Sequence, residues 1–218
     1  MLSRIMFNEA LNRQHHDLLT MGALVEENIR KALEALRNAD QALADEVKAS
    51  DTVINALQIK IDDQTARLLA TQQPLARDLR ELVTSLKITD NLERIGDYAV
   101  HLAKAAKRLA EEPYPRPLDR LERMALQGCA MVHDAVRAYL EQDEALARST
   151  AALDDTIDRD HKAFVAEVLA LMSENPGRAR QATKLISTSN YLERLGDHVT
   201  NICEAVIFMT SGEHVELN

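Results

Sequence analysis

The 218-residue chain has no tryptophan and only three phenylalanines and four tyrosines, so aromatics make up 3% of it. Sheets fill their pleated faces with aromatic and β-branched side chains. That shortage, beside plentiful Ala, Leu, Glu and Arg, excludes an all-β fold and favours helix. Breakers are also scarce, with six glycines and five prolines. Cys129 and Cys203 stand far apart within apolar helical pattern; they read as small core residues in a reducing compartment, not as a disulfide or zinc framework. No apolar run approaches the roughly 18 residues of a membrane span, and residues 1–9 lack the apolar core of a signal peptide. A soluble, cytoplasmic protein with no membrane insertion is expected. Positive charge is short too: 26 Lys+Arg face 35 Asp+Glu, for a formal net charge of -9. With no basic run, such a field repels a phosphate backbone and argues against nucleic acid as a partner.

The breakers that do occur are placed informatively. Prolines fall at Pro74, at Pro113, Pro115 and Pro117, and at Pro176, and helical pattern runs unbroken between them. The Pro-rich segment 113–117 reads as a linker between two domains, residues 1–112 and 118–218. Turns near Asp40 and Asp143, both suited to N-capping, divide each half into three helices, over 6–37, 41–72, 75–111, 117–141, 143–174 and 177–211. Apolar residues recur at three- and four-residue steps, as in Leu18, Met21, Val25, Ile29, Ala32 and Leu36, the signature of a helix with one buried face. Helices of about 30 residues would be about 45 Å long. Short connections make neighbours antiparallel, so the expected fold is all-α: two up-down-up three-helix bundles with heptad-like seams.

The two halves repeat one another. Leu92-Glu-Arg-Ile-Gly-Asp97 matches Leu192-Glu-Arg-Leu-Gly-Asp197, and the flanking seams superpose at the same offset. Earlier helices align at a slightly larger offset: Met21 with Met124, Leu33 with Val136, Asp40 with Asp143, Asp51 with Asp154. Such duplication implies two pseudo-symmetric bundles. A bundle seam alone does not call for Glu, Arg, Gly and Asp, yet both copies keep them.

Glu93 and Asp97, like Glu193 and Asp197, are four residues apart and so lie one turn apart on one helix face. The preceding helices offer Asp51 and Asn55, and Asp154 and Asp158, at the same spacing. Like charges so placed are mildly destabilising without a cation. Two such faces side by side would make an oxygen-rich groove suited to Fe(III), Mn(II), Mg(II) or Zn(II). The plainer reading is a solvated acidic face, and the duplication of the pairs sets a metal site beside it as an equal reading. Gly96 and Gly196 read as points of close helix approach, and Arg94 and Arg194 as surface residues. His101 and His198 lie nearest the clusters, but neither is repeated. No nucleotide-binding, hydrolase or zinc-protease signature occurs, and no Glu-x-x-His supports a ferritin-like di-iron enzyme. The expectation is therefore a protein that is not an enzyme, with a metal-dependent bundle enzyme or a metal-free helical scaffold as the alternatives.

Met21-Gly-Ala-Leu-Val-Glu26, Gln73-Pro-Leu-Ala-Arg-Asp-Leu-Arg80 and the doubled Leu-Glu-Arg-x-Gly-Asp together resemble the PhoU family over nearly the whole chain. The resemblance implies two similar three-helix bundles, frequent homodimers, and iron or zinc clusters held by E(D)xxxD motifs. It also implies a negative regulator of the phosphate-starvation response, linking the ATPase subunit of a phosphate ABC transporter to a sensor histidine kinase. Carried onto this sequence, one metal site would comprise Asp51, Asn55, Glu93 and Asp97, and the other Asp154, Asp158, Glu193 and Asp197. Asn55 departs from the acidic pattern and offers a neutral carbonyl oxygen, so the first site should hold a cation less strongly. Asp90 shares the face of Glu93, although its repeat mate is Asn190.

Overall fold

The computed structural model describes residues 2–109, 118–174 and 176–217. The expected linker at 113–117 lies outside the described residues. Helix α1 spans Leu2–Asn38, α2 Gln41–Gln72, α3 Ala76–Leu109, α4 Leu118–Glu141, α5 Glu144–Ala151, α6 Asp154–Glu174 and α7 Ala179–Ser211, with a 3₁₀ turn at Pro176–Arg178 before α7.

The first turn of each half is built the same way. Ala39 and Gln142 take left-handed backbone, with φ of 55° and 56°. The next amide then reaches back to close the helix: Asp40 N–H donates to Ala35 O at 3.0 Å, and Asp143 N–H to Ala138 O at 2.9 Å. Each aspartate also caps the helix that follows, its carboxylate accepting from Leu43 N at 3.0 Å or Leu146 N at 2.9 Å. One residue thus ends one helix and starts the next, which fixes a tight antiparallel corner.

The long helix expected over 143–174 is interrupted. The chain tightens at Ala152 and Leu153, where Leu153 N–H donates to Thr150 O at 3.1 Å and Thr156 N–H to Leu153 O at 3.0 Å. Ala152 stays right-handed at φ -61°, ψ -16°, so neither Gly nor Pro is needed and the apolar period runs through the break. The restart places Asp154 and Asp155 in the first turn of α6, where carboxylates favour the positive end of the helix dipole.

Helices α2, α3, α7 and α6 pack in that order as one layer, while α1 lies across α2 and α3, α4 across α6 and α7, and α1 meets α4. The α3–α7 pair is antiparallel. Arg80 Nε donates to Met209 O at 3.2 Å, Thr84 Oγ1 to Ala205 O at 3.2 Å, and Tyr98 stacks on Tyr191 with centroids 5.9 Å apart. Exchanging the two halves maps this register onto itself, so a pseudo-two-fold axis passes between α3 and α7 close to Arg94 and Arg194. The burial pattern of residues 91–100 repeats without change in 191–200. One contiguous core runs through both halves, including Met21, Ile29, Ile54, Ile88, Leu92, Ile95, Met124, Leu192, Leu195 and Val199.

Leu195 is 1% exposed and packs so tightly on α4 that a Cβ at Gly128 would lie 2.6 Å from its Cδ2. Leu195→Asp would bury an unpaired charge in this contact and is expected to lower stability by about 4 kcal/mol. Thermal and urea unfolding measure it, and a midpoint within a degree or two of the parent would reject the seam.

Candidate functional site: paired acidic grooves

The acidic residues singled out above do meet across helices. In the first groove, Asp51 of α2 faces Gly96 of α3; its Oδ1 would stand 3.5 Å from a Cβ there. Asn55 Nδ2 donates to Asp51 Oδ2 at 3.3 Å. Burial raises the pKa of Asp51, and the charge of Asp97 raises it further. Glu93 is likewise raised, first by burial and then by Asp97, with smaller contributions from Asp51 and Asp90. From the solvent side Arg94 approaches both, with Nε 3.8 Å from Glu93 Oε2 and a terminal nitrogen 3.7 Å from Asp97 Oδ2. An exposed cation at such distances contributes little.

The second groove is deeper and more highly charged. A Cβ at Gly196 would overlap Asp154 Oδ1, so this carboxylate lies flat against the α7 backbone, and only glycine leaves room for it. Asp154 is 7% exposed. Burial pushes its pKa up to about 7, aided by the charges of Asp197, Asp158 and Glu193. Asp197 is raised by burial and then by Asp158, and Glu193 by burial and then by Asp197 and Asp158. Lys162 Nζ donates to Asp158 Oδ2 at 3.0 Å from one turn along α6, a partner that reading the i,i+4 carboxylate pairs alone passed over. All four acidic side chains therefore bear on one another electrostatically. In the first groove neutral Asn55 stands where the second has Asp158.

Both histidines lie in the α3–α7 seam, where the charges of His198 and Asp197 also act on each other. His198 Nδ1 meets Asn91 Oδ1 at 2.8 Å and its Nε2 lies 3.4 Å from the Tyr98 hydroxyl, while His101 stacks on Tyr191 with centroids 4.6 Å apart. Together they line the α3–α7 seam midway between the grooves. This ring cluster leaves no trace in the repeat, because its members stand opposite Tyr98, Asn201 and Asn91 in the other copy.

The donor set suits a hard cation. Asp51 Oδ1, Asn55 Oδ1 and Asp154 Oδ1 are buried oxygens without a hydrogen-bond partner, and such atoms lose the stabilisation water gave them. Among the described residues no three His, Cys, Asp or Glu side chains form a ready cage.

Fold and site together define an all-helical protein of two pseudo-symmetric bundles, each with an acidic groove. A family model described as the PhoU domain matches twice, over residues 18–106 and 121–206. A PhoU homolog of Clostridium acetobutylicum, described as a phosphate-specific transport system accessory protein, is 36% identical over the full length of both chains. A Streptococcus pneumoniae homolog of the same description is 33% identical, covering 99% of this chain and 100% of its own. The crystal structure of PhoU from Pseudomonas aeruginosa superposes with a TM-score of 0.91 at 38% identity, covering 95% of this chain and all of that one. The S. pneumoniae crystal structure, titled a phosphate transport system regulatory protein, gives 0.88 at 31%, covering 96% and 99%. The chain belongs to the PhoU family.

The charge in the second groove has a pH signature. The Asp154 pKa is about 7 in the folded protein and 3.8 by its ordinary value. Between these limits the folded state holds the extra proton, so the stabilising protonated form is complete below pH 4 and is lost as pH rises through 7. In chelator, Asp154→Asn is expected to gain about 2 kcal/mol at pH 8 and little at pH 4. Urea unfolding at the two pH values measures it; an equal effect at both would show that the carboxylate charge is not opposed there.

Proposed function

We propose that this protein is an accessory and negative regulator of phosphate uptake and of the phosphate-starvation response. It acts on the cytoplasmic side as a homodimeric adaptor between the ATPase subunit of a phosphate ABC transporter and a sensor histidine kinase. The observation that carries this reading is the full-length match to curated relatives described as accessory proteins of phosphate-specific transport, with the family's domain recurring in both halves. Among the described residues no helix is long and apolar enough to cross a membrane, which suits a protein that docks on a transporter rather than inserting beside it.

The two grooves are proposed to bind iron, zinc, manganese or magnesium ions. Asp51, Asn55, Glu93 and Asp97 would hold one, and Asp154, Asp158, Glu193 and Asp197 the other. The cation would supply positive charge where buried oxygens now lack a partner and would cross-link α2 to α3 and α6 to α7. The protein's own share is to hold these carboxylates between helices at a fixed register, on the face that also carries Tyr98, Tyr191 and His101.

Two measurements test the proposal. In a deletion strain grown in excess phosphate, phosphate-repressible alkaline phosphatase is expected to be constitutive and to be silenced again by the wild-type gene; normal repression in the deletion strain would reject the regulator role. On purified protein, Glu193→Ala with Asp197→Ala is expected to lower bound metal more than Glu93→Ala with Asp97→Ala, because the first groove has Asn55 in place of a carboxylate. Equal losses by elemental analysis would contradict that ranking.

A further inference from the structure

The two bundles are not covered alike at their outer ends. Helix α1 starts at Leu2, whereas α4 starts at Leu118, which the repeat aligns with His15. Residues 2–14 of α1 therefore have no counterpart in α4. In the first bundle that stretch closes the end of the α2–α3 pair. Phe7, with Ala10 and Leu11, covers Leu68, Leu69 and Leu82 in a cluster of their own. Gln14 Nε2 donates to Thr65 Oγ1 and, at 2.8 Å, to Ser85 Oγ, and Arg4 pairs with Asp78, one terminal nitrogen lying 3.2 Å from Oδ1.

The second bundle has an open cleft at the same place. It measures about 210 Å³ between α6 and α7, and its walls include Val168, Leu171, Met172, Arg178, Ala182 and Leu185. The repeat aligns these six, in order, with Thr65, Leu68, Leu69, Asp78, Leu82 and Ser85, the residues that α1 touches in the other half. The exchanges follow one logic. Thr65 and Ser85, which hold Gln14, become Val168 and Leu185; Leu82 becomes the smaller Ala182; and Asp78, which holds Arg4, becomes Arg178. Glu174 also lines the cleft. A hydrogen-bonding pair gives way to hydrocarbon and an acid to a base, so the helix seat is kept while the helix it suits is changed.

We propose that this cleft is the docking site for an amphipathic helix of a partner protein, seated antiparallel to α6 as α1 is to α2. The spacing of Arg4, Phe7, Leu11 and Gln14 gives its pattern: an acidic residue opposite Arg178, apolar anchors three and seven residues later, and an apolar side chain where α1 has Gln14. Helices that dock in grooves use anchors at such steps. A second copy of this chain does not meet the description. Its α1 is engaged with its own α2 and α3 through Phe7, and exchange between copies would set Arg4 against Arg178 and buried Gln14 against Val168 and Leu185. The sequence between α3 and α4 carries Pro113, Pro115 and Pro117, which oppose helix. Val168 is about 21 Å along α6 from Asp154, so the site is separate from the acidic grooves and independent of any metal there.

The probe is a labelled, end-blocked peptide of residues 4–16 carrying Arg4→Glu and Gln14→Leu, followed by fluorescence anisotropy against the full-length protein. It is expected to bind saturably, and the unsubstituted peptide at least about fivefold more weakly. Arg178→Glu alters an exposed side chain, and circular dichroism checks that helicity is retained. In that variant the preference should reverse, the peptide with Gln14→Leu alone binding more tightly than the one that also carries Arg4→Glu. No saturable binding of the doubly substituted peptide to the parent would overturn the site, as would a preference for Glu over Arg that survives Arg178→Glu. A parent that sediments as a dimer and is split into monomers by Arg178→Glu would assign the cleft to a second copy and overturn the partner helix.

Discussion

Everything in this molecule depends on α3 and α7 each packing against helices on three sides. Each closes its own bundle and also lies antiparallel on the other, so the seam residues Leu92, Ile95, Leu192 and Leu195 are buried almost completely. A helix enclosed on three sides keeps one narrow open arc. The polar residues of Leu-Glu-Arg-x-Gly-Asp have nowhere else to go, and their position at the edge of that arc, against α2 or α6, forces carboxylates into half-buried grooves. Burial heads the causes of the raised pKa at Asp51, Glu93, Asp154, Glu193 and Asp197, and neighbouring charge comes second. The raised pKa values are therefore a product of the packing rather than a feature laid over it.

Much of this was legible beforehand, for identifiable reasons. The apolar steps of Leu18 to Leu36 predicted a buried stripe because helix geometry alone sets that period, and all six positions are buried. Asp40 and Asp143 announced their turns because a side-chain acceptor before a helix has a specific job. Duplication of the Glu and Asp pairs pointed to both grooves, because a bundle seam alone does not call for those residues in both halves. The break at Ala152–Leu153 could not be seen: it uses no Gly or Pro and leaves the apolar period intact. Nor could the unequal depth of the grooves, because it depends on how far one helix start slides over one glycine. In retrospect the Asp154-Asp155 pair was the available hint, as a helix N-terminus attracts such residues.

The grooves differ in ways that a count of carboxylates understates. The first is eased by Asn55, which donates a hydrogen bond to Asp51. The second sets Asp154 against bare backbone and answers Asp158 with Lys162. In the first, a neutral amide lowers the carboxylate count. The other holds charge under strain, so its free energy responds more steeply to anything that neutralises it, whether a proton or a metal.

The pseudo-two-fold register between α3 and α7 carries a consequence of another kind. Each half presents to the other the surface that a dimer of single repeats would present to its twin, but here the encounter is intramolecular. Association no longer depends on protein concentration, because the covalent connection supplies a high local concentration of each half around the other. A true homodimer also binds its two sites to one sequence: any change on one side appears on both. Joining the copies in one chain lifts that constraint. Asn55 can soften one groove while Asp158 adds charge to the other, and a symmetric scaffold becomes a molecule with two unlike ends.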